Sequence, residues 1–191
     1  MKTFPDALML REARENTPDY MHPSEMPWLV YDDEVLTDAQ CDDILRELFA
    51  EVSYTFDHCN AHTIECPRPL SPALKPISDF VLEANQRWWK YNLGDEPAAW
   101  LQTYFAGDDY QTHMDGTIGQ TRKLTAVAML TDVTGYGGGN LEVHIPPHSL
   151  RIPKLRGSIV VFPHWVIHEV TPVTGGVRQT INLGYWGPPF A

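Results

Sequence analysis

The sequence predicts a mainly β domain with helices on its N-terminal side. From about residue 97 onward, short apolar runs alternate with glycine- and proline-containing turns, which is typical of a sandwich or barrel of antiparallel strands. Before that point, two segments repeat apolar residues at helical spacing. The chain has 191 residues, of which 43% are hydrophobic, so it can bury one core. We therefore expect a single domain over 1–191, with an N-terminal part at 1–96 and a strand-rich core at 97–191.

The charge and composition argue against nucleic acid and membrane partners. The formal net charge is −11, whereas a non-specific nucleic-acid binder needs a basic face. No run approaches the roughly 18 apolar residues that cross a bilayer. The first residues lack the apolar stretch of a signal peptide, and the three cysteines cannot all pair with one another. These features predict a protein of the reducing cytoplasm.

The N-terminal part begins with an arm and a helix. Residues 1–36 carry several prolines and little periodicity, which predicts an irregular arm lying along the domain. The segment LTDAQCDDILRELFAEV predicts a helix with Thr37 as N-cap and Gln40 at capping-box spacing. Its apolar stripe, which should face the core, consists of Cys41, Ile44, Leu45, Leu48, Phe49 and Val52.

Residues 53–71 read as a long loop. Four potential zinc ligands lie in it, His58, Cys59, His62 and Cys66, but their spacing fits no standard finger and lacks a Cys-x-x-Cys pair. Long loops without regular structure are often functional in compact domains. We therefore expect a mobile lid here rather than a zinc site.

A second helix is predicted at roughly 75–91. Gly94 is its expected stop, and Trp88 and Trp89 are expected to be packing residues. The apolar positions at helical spacing are Leu74, Ile77, Val81, Ala84, Trp88 and Tyr91.

The remaining elements are predicted strands. KLTAVAMLTDV is apolar at successive positions, which predicts a strand buried on both faces. GYGGGN is a turn and not a phosphate-binding loop, because no Gly-Lys-Ser/Thr follows. The other predicted strands are AAWLQTYFAG, NLEVHI, GSIVVFP, HWVIHEVTPV and VRQTINLGYW.

A histidine and an aspartate stand two positions apart in YQTHMDGTIGQ. Residues i and i+2 of a strand point to the same side, so His113 and Asp115 should aim at one point. Two histidines and one carboxylate form the facial triad of Fe(II) oxygenases, so a third ligand is needed. Outside the predicted lid, the candidates are His22, His144, His148, His164 and His168.

His168 is favoured among these candidates because Arg178 follows ten residues later on the next predicted strand. A hairpin turn around Gly175-Gly176 would place the two strands side by side. A guanidinium near the metal could then form a two-pronged pair with a carboxylate cosubstrate. Periodicity does not separate His168 from His164, because residues four apart share one face of a strand.

These motifs resemble those of the 2-oxoglutarate/Fe(II)-dependent dioxygenases, specifically the prolyl 4-hydroxylase-like branch. YFAGDDYQTHMD is similar to that branch's Tyr–Gly–Tyr–His-x-Asp stretch, with Tyr104 and Tyr110 as its tyrosines. GSIVVFPHWVIHEVTPVTGGVRQTINLGYW is similar to its Phe-Pro, His-x-Val-x-Pro-Val and Gly-x-Arg block, and GYGGGNL to its Gly-Gly turn. The resemblance covers about residues 98–187. It implies a double-stranded β-helix, or jelly roll, from about residue 97, with the helices packed on one sheet.

The resemblance also implies the site residues. It assigns Fe(II) to His113, Asp115 and His168. It makes Arg178 the anchor of the cosubstrate 2-oxoglutarate and Tyr104 a helper at that pocket. Where some relatives place a tyrosine that touches the cosubstrate, this chain has Met129.

The implied activity is hydroxylation of an aliphatic C–H bond with O₂, releasing succinate and CO₂. The expected substrate is a prolyl residue in a peptide or protein. A free amino acid or small metabolite is the alternative substrate, and a non-catalytic, cupin-like metal-binding module is the alternative function. Asp115 argues against a halogenase, since those relatives need a halide where the carboxylate stands.

Overall fold

Fourteen strands and two helices make up the part of the chain that the computed structural model describes, residues 2–3, 28–48, 54–56, 59–116 and 121–189. The helices are α1 (Asp38–Glu47) and α2 (Lys75–Ala84). The strands are β1 (Lys2–Thr3), β2 (Val30–Asp32), β3 (Tyr54–Phe56), β4 (Cys59–Glu65), β5 (Ala98–Tyr104), β6 (Tyr110–His113), β7 (Arg122–Met129), β8 (Tyr136–Gly138), β9 (Leu141–Ile145), β10 (His148–Arg151), β11 (Ile159–Pro163), β12 (Ile167–Val170), β13 (Val173–Gly176) and β14 (Arg178–Trp186).

Most strands belong to one curled antiparallel sheet. Its order is β1-β2-β11-β7-β14-β5-β4-β6-β12-β9-β10, and β3 pairs with β4 beside this path. Strands β8 and β13 form a separate two-stranded sheet. The prediction of a mainly β fold with N-terminal helices is confirmed.

The curled sheet separates two apolar cores. On β7, the side chains of Leu124, Ala126 and Ala128 join the outer core, which includes the apolar faces of α1 and α2. The alternate residues Val127 and Met129 join the inner core, inside the curl. Because both faces of β7 are covered, the apolar run predicted as a doubly buried strand is confirmed.

Helix α1 begins as predicted. The Thr37 side chain accepts a hydrogen bond from the Gln40 amide, and the Gln40 side chain accepts one from the Thr37 amide at 2.8 Å. Of the predicted stripe, Cys41, Ile44 and Leu48 are buried and Leu45 is half-buried, whereas Phe49 and Val52 lie outside the described residues.

The second predicted helix ends earlier than expected. After α2 the chain continues as a π-helical turn, Asn85–Trp89, and Lys90 then adopts a left-handed conformation with φ of 55°. The Asn85 side chain bonds to both the amide and the carbonyl of Tyr91, at 3.0 and 2.9 Å. The hydrogen bonds of Asn85 and the left-handed Lys90 end the helix before Tyr91, so Gly94 does not terminate it. Trp89 is buried in the outer core and Trp88 packs against it, as predicted.

The predicted loop at 53–71 contains two strands. Strand β4 pairs with β5 from His62 to Glu65, and β3 pairs with β4. Along β4 the side chains of Cys59, Ala61 and Thr63 are fully buried and alternate with more exposed neighbours. The loop prediction is therefore wrong for 54–56 and 59–65, while residues 53 and 57–58 lie outside the described part. The mobility expected of a lid stays a prediction.

The predicted irregular arm also contains strands. β1 and β2 pair with each other, and β2 extends the sheet beyond β11. Residues 4–27, including His22, lie outside the described part of the chain. Among the described residues, neither helix has the length and apolar character needed to cross a membrane.

Candidate metal centre and its pocket

Strand register brings His113 and His168 together. The two residues are direct partners across the β6–β12 pairing, and their ring centroids lie 4.3 Å apart. Asp115 lies two residues beyond the end of β6. Its Oδ1 lies 3.6 Å from His113 Nε2, and its Oδ2 lies 3.8 Å from His168 Nε2. One ligand atom from each residue lies within 4.8 Å of the others, a separation that one metal ion can bridge.

Backbone carbonyls orient both imidazoles. His113 Nδ1 lies 2.6 Å from the Gln111 carbonyl oxygen, and His168 Nδ1 lies 2.9 Å from that of Val166. A carbonyl can only accept, so each Nδ1 carries the proton and each Nε2 presents its lone pair. His113 Nε2 is buried without a hydrogen-bond partner. These imidazoles therefore have the tautomer that a metal ligand requires.

The ionisation states also suit metal binding. Burial lowers the pKa of His168 to about 4, so its imidazole is neutral near neutral pH. Burial alone would raise the pKa of Asp115, but Arg122, the two histidines and a threonine hydroxyl outweigh it and hold this pKa below its usual range. The threonine is Thr125, which donates a short hydrogen bond to Asp115 Oδ2. A neutral imidazole and an ionised carboxylate are the metal-binding forms.

The other candidate histidines lie elsewhere. His164 belongs to the turn between β11 and β12, where its backbone carbonyl accepts the Asp115 amide at 3.1 Å and its ring lies against Gly116. His144 bonds to Ser149 through Nδ1. Within the described residues, the only group of three His, Cys, Asp or Glu side chains that could hold a metal is His113, Asp115 and His168.

The described cysteines do not form the alternative zinc site. Cys59 and Cys66 are free, buried thiols, and burial raises the pKa of each to about 11. The His62 ring packs edge-on against Phe105 at 5.2 Å. Cys41 is also buried in the outer core. His58 lies outside the described residues.

Arg178 is a buried cation on the same cavity. Its side chain is 1% exposed, and its guanidinium carbon lies 4.7 Å from the centre of the Tyr104 ring. Nη2 lies 3.8 Å from the Met129 sulfur, while Nε and Nη1 are buried without hydrogen-bond partners. A buried guanidinium with open donors fits a carboxylate ligand. The Tyr104 hydroxyl donates to Gln102 Oε1 at 2.8 Å, so the ring of Tyr104 faces the arginine while its hydroxyl bonds elsewhere.

The predicted hairpin between the strands of His168 and Arg178 is wrong. Strand β12 pairs with β6 and β9, whereas β14 pairs with β5 and β7. Gly175 and Gly176 belong to β13, where Gly176 has φ of 73° and a Cβ atom would lie 2.0 Å from the Gly135 carbonyl oxygen. Gly176 therefore allows β13 to approach β8 closely, whereas a Cβ atom on Gly175 would meet nothing within 4 Å. The curl of the sheet, not strand adjacency, brings Arg178 and His168 to one cavity.

The cavity measures about 300 Å³ and includes residues that the sequence analysis did not select. Every second residue of a strand faces the same side. Counting forward in steps of two from Arg178 gives Thr180 and Asn182, and counting back from Tyr104 gives Gln102 and Trp100. Arg122 gave no comparable signal, because its approach to Asp115 depends on tertiary packing. The polar and aromatic cavity residues missed were Trp100, Gln102, Arg122, Thr125, Thr180, Asn182 and Trp186.

Comparison with known proteins points to one superfamily. Residues 99–186 match the family model of the 2OG-Fe(II) oxygenase superfamily. A PKHD-type hydroxylase of Klebsiella pneumoniae is 35% identical over 87 residues, which cover 42% of this chain and 39% of the relative. One from Phenylobacterium zucineum is 34% identical over 122 residues, which cover 56% of this chain and 53% of the relative. The chain thus spans between two fifths and about half of the length of these relatives.

Solved structures show the same fold. A Pseudomonas putida prolyl-4-hydroxylase gives a TM-score of 0.72 at 18% identity, covering 85% of this chain and 94% of that chain. A prolyl hydroxylase from Trichoplax adhaerens, solved with a hypoxia inducible factor peptide, gives a TM-score of 0.65 at 16% identity, covering 83% of each chain. The predicted jelly roll is confirmed. Residues 99–186 are similar in sequence to the 2OG-Fe(II) oxygenase superfamily, and the chain shares the fold of these solved structures.

Proposed function

We propose that the chain is an Fe(II)- and 2-oxoglutarate-dependent dioxygenase that hydroxylates an aliphatic C–H bond and releases succinate and CO₂. One observation carries this proposal. A triad of ligand atoms within 4.8 Å and a buried arginine with two open donors line one cavity of about 300 Å³. The family match of residues 99–186 supports it.

The triad residues would hold the metal. His113, Asp115 and His168 offer two neutral nitrogens and one carboxylate oxygen, the donor set of non-haem Fe(II) oxygenases, which leaves coordination positions open. When bound, Fe(II) supplies the O₂ chemistry, with 2-oxoglutarate as the source of electrons. The Thr125 hydroxyl donates a hydrogen bond to Asp115 Oδ2. This bond orients the Asp115 carboxylate for metal binding before a metal ion is bound.

Arg178 would hold the far carboxylate of 2-oxoglutarate. Nε and Nη1 have no hydrogen-bond partner, and Nη2 meets only the Met129 sulfur at 3.8 Å, so a carboxylate can accept in parallel from Nη2 and one of the other two nitrogens. The Thr180 hydroxyl, two residues along β14, is also buried without a partner and faces the same cavity. The cavity walls include Val127, Leu141 and Val170, which limit the access of water around these polar groups.

The proposed substrate is a prolyl residue in a peptide or protein. Curated relatives are PKHD-type hydroxylases, and solved proteins of the same fold include prolyl hydroxylases, one with a bound peptide. The test incubates the protein with Fe(II), 2-oxoglutarate and a proline-rich peptide, and measures succinate and an added oxygen atom on the peptide by mass spectrometry. Free L-proline and other amino acids are tested in parallel. Oxygen addition to a free amino acid, with none on peptides, would replace the peptide assignment while preserving the oxygenase.

A non-catalytic metal module is the competing function, and Arg178 argues against it. A site that only bound metal would not need a buried arginine whose donors are open toward the cavity. Slow conversion of 2-oxoglutarate to succinate by the Fe(II)-loaded protein without substrate separates the two functions. If 2-oxoglutarate neither binds nor is consumed, the module is the correct description.

A further inference from the structure

Asn182 lines the cavity on β14, beyond Arg178 and Thr180. Its Nδ2 donates a hydrogen bond to Gln102 Oε1 at 2.7 Å, and the Tyr104 hydroxyl donates to the same oxygen at 2.8 Å. Because Gln102 Oε1 accepts both bonds, it fixes the orientation of the Asn182 amide. Asn182 Oδ1 is thereby turned away from Gln102, and it is buried without a hydrogen-bond partner.

This oxygen stands alone as an acceptor in a cavity of donors. Among the described residues that line the cavity, the other buried atoms without a partner are three guanidinium nitrogens, the Thr180 hydroxyl and His113 Nε2. The guanidinium nitrogens and the hydroxyl donate hydrogen bonds, and His113 faces the metal position. Ionised 2-oxoglutarate offers only acceptors, and the triad already supplies the protein ligands of a metal. The cosubstrate therefore leaves Asn182 Oδ1 unpaired.

The position of Asn182 along β14 makes it accessible to a substrate. Of the cavity-facing residues of this strand, Arg178 is 1% exposed and Thr180 is fully buried, whereas Asn182 and Trp186 are half-buried. Trp100, the direct partner of Asn182 across the β5–β14 pairing, is also half-buried and lines the cavity. The cosubstrate anchor thus occupies the closed end of the cavity. A ligand that enters beside the indole rings reaches Asn182 before it reaches Arg178.

A buried, unpaired amide oxygen selects for a hydrogen-bond donor. Leaving it without a partner costs the desolvation of the oxygen, whereas a bound N–H group replaces the hydrogen bond that water would make. The low local dielectric inside a cavity strengthens this difference. Such a site rejects an analogue that places an ether or ester oxygen against the acceptor.

We propose that Asn182 Oδ1 accepts a hydrogen bond from an N–H group of the substrate. Gln102 is a positioning residue, because it acts through the orientation of the Asn182 amide. This proposal rests on the proposed function and narrows it. The nitrogen of an internal prolyl residue carries no hydrogen, so the N–H group belongs either to a free amino or imino acid or to the amide that follows a prolyl residue in a peptide.

The experiment compares ligands that differ by one N–H donor. Protein loaded with Ni(II) and 2-oxoglutarate, which cannot turn over, is titrated calorimetrically with paired ligands. The pairs are L-proline and (S)-tetrahydrofuran-2-carboxylate, other amino acids and their deaminated analogues, and prolyl peptides in which the following amide is kept or replaced by an ester. We expect the N–H member of at least one pair to bind roughly 5- to 150-fold more tightly, the range for leaving a buried acceptor unpaired. The pair that shows this preference identifies the source of the N–H group.

Variants assign the preference to Asn182. Asn182→Leu should abolish the difference within the pair, and Gln102→Leu should reduce it, because the Asn182 amide is then free to rotate. Comparing the pair between wild type and variant also removes effects of ligand charge or shape that both proteins share. Gln179→Leu is the matched control, since Gln179 lies on the same strand, bonds to Thr103 at 3.3 Å and does not line the cavity.

Three results would overturn the proposal. Asn182→Leu could weaken both members of a pair equally, in which case the residue only shapes the cavity. Asn182→Leu could keep the full difference, so that another group accepts the N–H. The wild type could bind both members of every pair equally, or prefer the oxygen-containing members, and this comparison decides the matter even where a variant does not fold.

Failure of the proposed function has a different signature. Fe(II)-loaded wild type would then produce no succinate from 2-oxoglutarate with any substrate. Succinate production that is equal with both members of every pair would preserve the oxygenase and refute only the role of Asn182.

Discussion

Arg178 offers the sharpest test of the proposed cosubstrate site. Replacing it with methionine keeps an unbranched side chain of similar length and removes the charge. The position is 1% exposed and already borders the Met129 sulfur at 3.8 Å, so a thioether suits its surroundings. The variant should therefore fold, and its defect should concern 2-oxoglutarate.

The magnitude follows from burial and the open donors. Removing one partner of a buried ion pair costs about 3–5 kcal/mol, because the remaining charge is left desolvated and unpaired. At about 1.4 kcal/mol per factor of ten, the dissociation constant of 2-oxoglutarate should rise by roughly two to three and a half orders of magnitude. Iron affinity should change little, because Arg178 lies on β14 and the metal ligands lie on or beside β6 and β12.

Thermal unfolding provides the assay. At a concentration of 100 times its dissociation constant, 2-oxoglutarate should stabilise the metal-loaded wild type by about 2.7 kcal/mol. The same concentration should stabilise Arg178→Met by no more than about 0.4 kcal/mol, because it would then not exceed the dissociation constant of the variant. Without cosubstrate, the variant should unfold at the same or a higher temperature than the wild type, because a buried charge with two open donors has been removed. Arg178→Lys keeps the charge but lacks the two-pronged donor geometry of arginine. The stabilisation that 2-oxoglutarate gives this variant should lie between those of the wild type and Arg178→Met.

The control is Arg151→Met, at an exposed arginine that pairs with Glu142 at 3.0 Å. It should leave the cosubstrate response unchanged. A folded Arg178→Met protein that binds 2-oxoglutarate as tightly as the wild type would refute the role of this arginine, whatever the activity of the protein.

Three further predictions test the site and the fold. His113→Ala and Asp115→Ala should each lower iron affinity, measured by equilibrium dialysis. The loss should exceed the 10- to 100-fold typical of residues that only orient a metal ligand. Folded variants that keep full iron affinity would contradict the triad. His168→Ala should abolish succinate formation and His164→Ala should retain it; the opposite result would exchange their roles. The Cys66 thiol should react with a thiol reagent at neutral pH only after unfolding, because it is buried with its pKa raised to about 11, and fast labelling of the native protein would show that the outer core opens.

Local sequence patterns predicted the parts of the site that depend on local structure. His113 and Asp115 lie two positions apart at the end of β6, so the short spacing keeps them close, although Asp115 lies beyond the last residue of the strand. The capping box of α1 needs only Thr37 and Gln40. The double burial of β7 follows from its uninterrupted apolar run. In each case the determining residues are close neighbours in sequence, so the sequence carries the information directly.

Features that depend on the partner strand were not predictable in this way. Strand β4 carries polar residues between its buried positions, and its two-residue period was obscured by the four potential metal ligands of this segment, two histidines and two cysteines. The strand pairing predicted for Arg178 was wrong because the Gly175-Gly176 pair suggested a hairpin, whereas both glycines belong to β13 and Gly176 allows β13 to approach β8 closely. Arg122 reaches Asp115 only because the sheet curls. Pairings across long stretches of sequence leave little local trace.

The alternation of β14 links the helix layer to the cavity. Arg178, Thr180 and Asn182 line the cavity, while the intervening Ile181, Leu183 and Tyr185 pack into the outer core with α1 and α2. Because the strand period is two, a shift of one residue would move the arginine into the apolar layer and an isoleucine into the cavity. Burying a guanidinium among helices without a partner costs several kcal/mol, so the outer core strongly disfavours that register. The helices therefore contribute to the chemistry of the site from the far side of the sheet, by fixing which face of β14 presents its polar side chains.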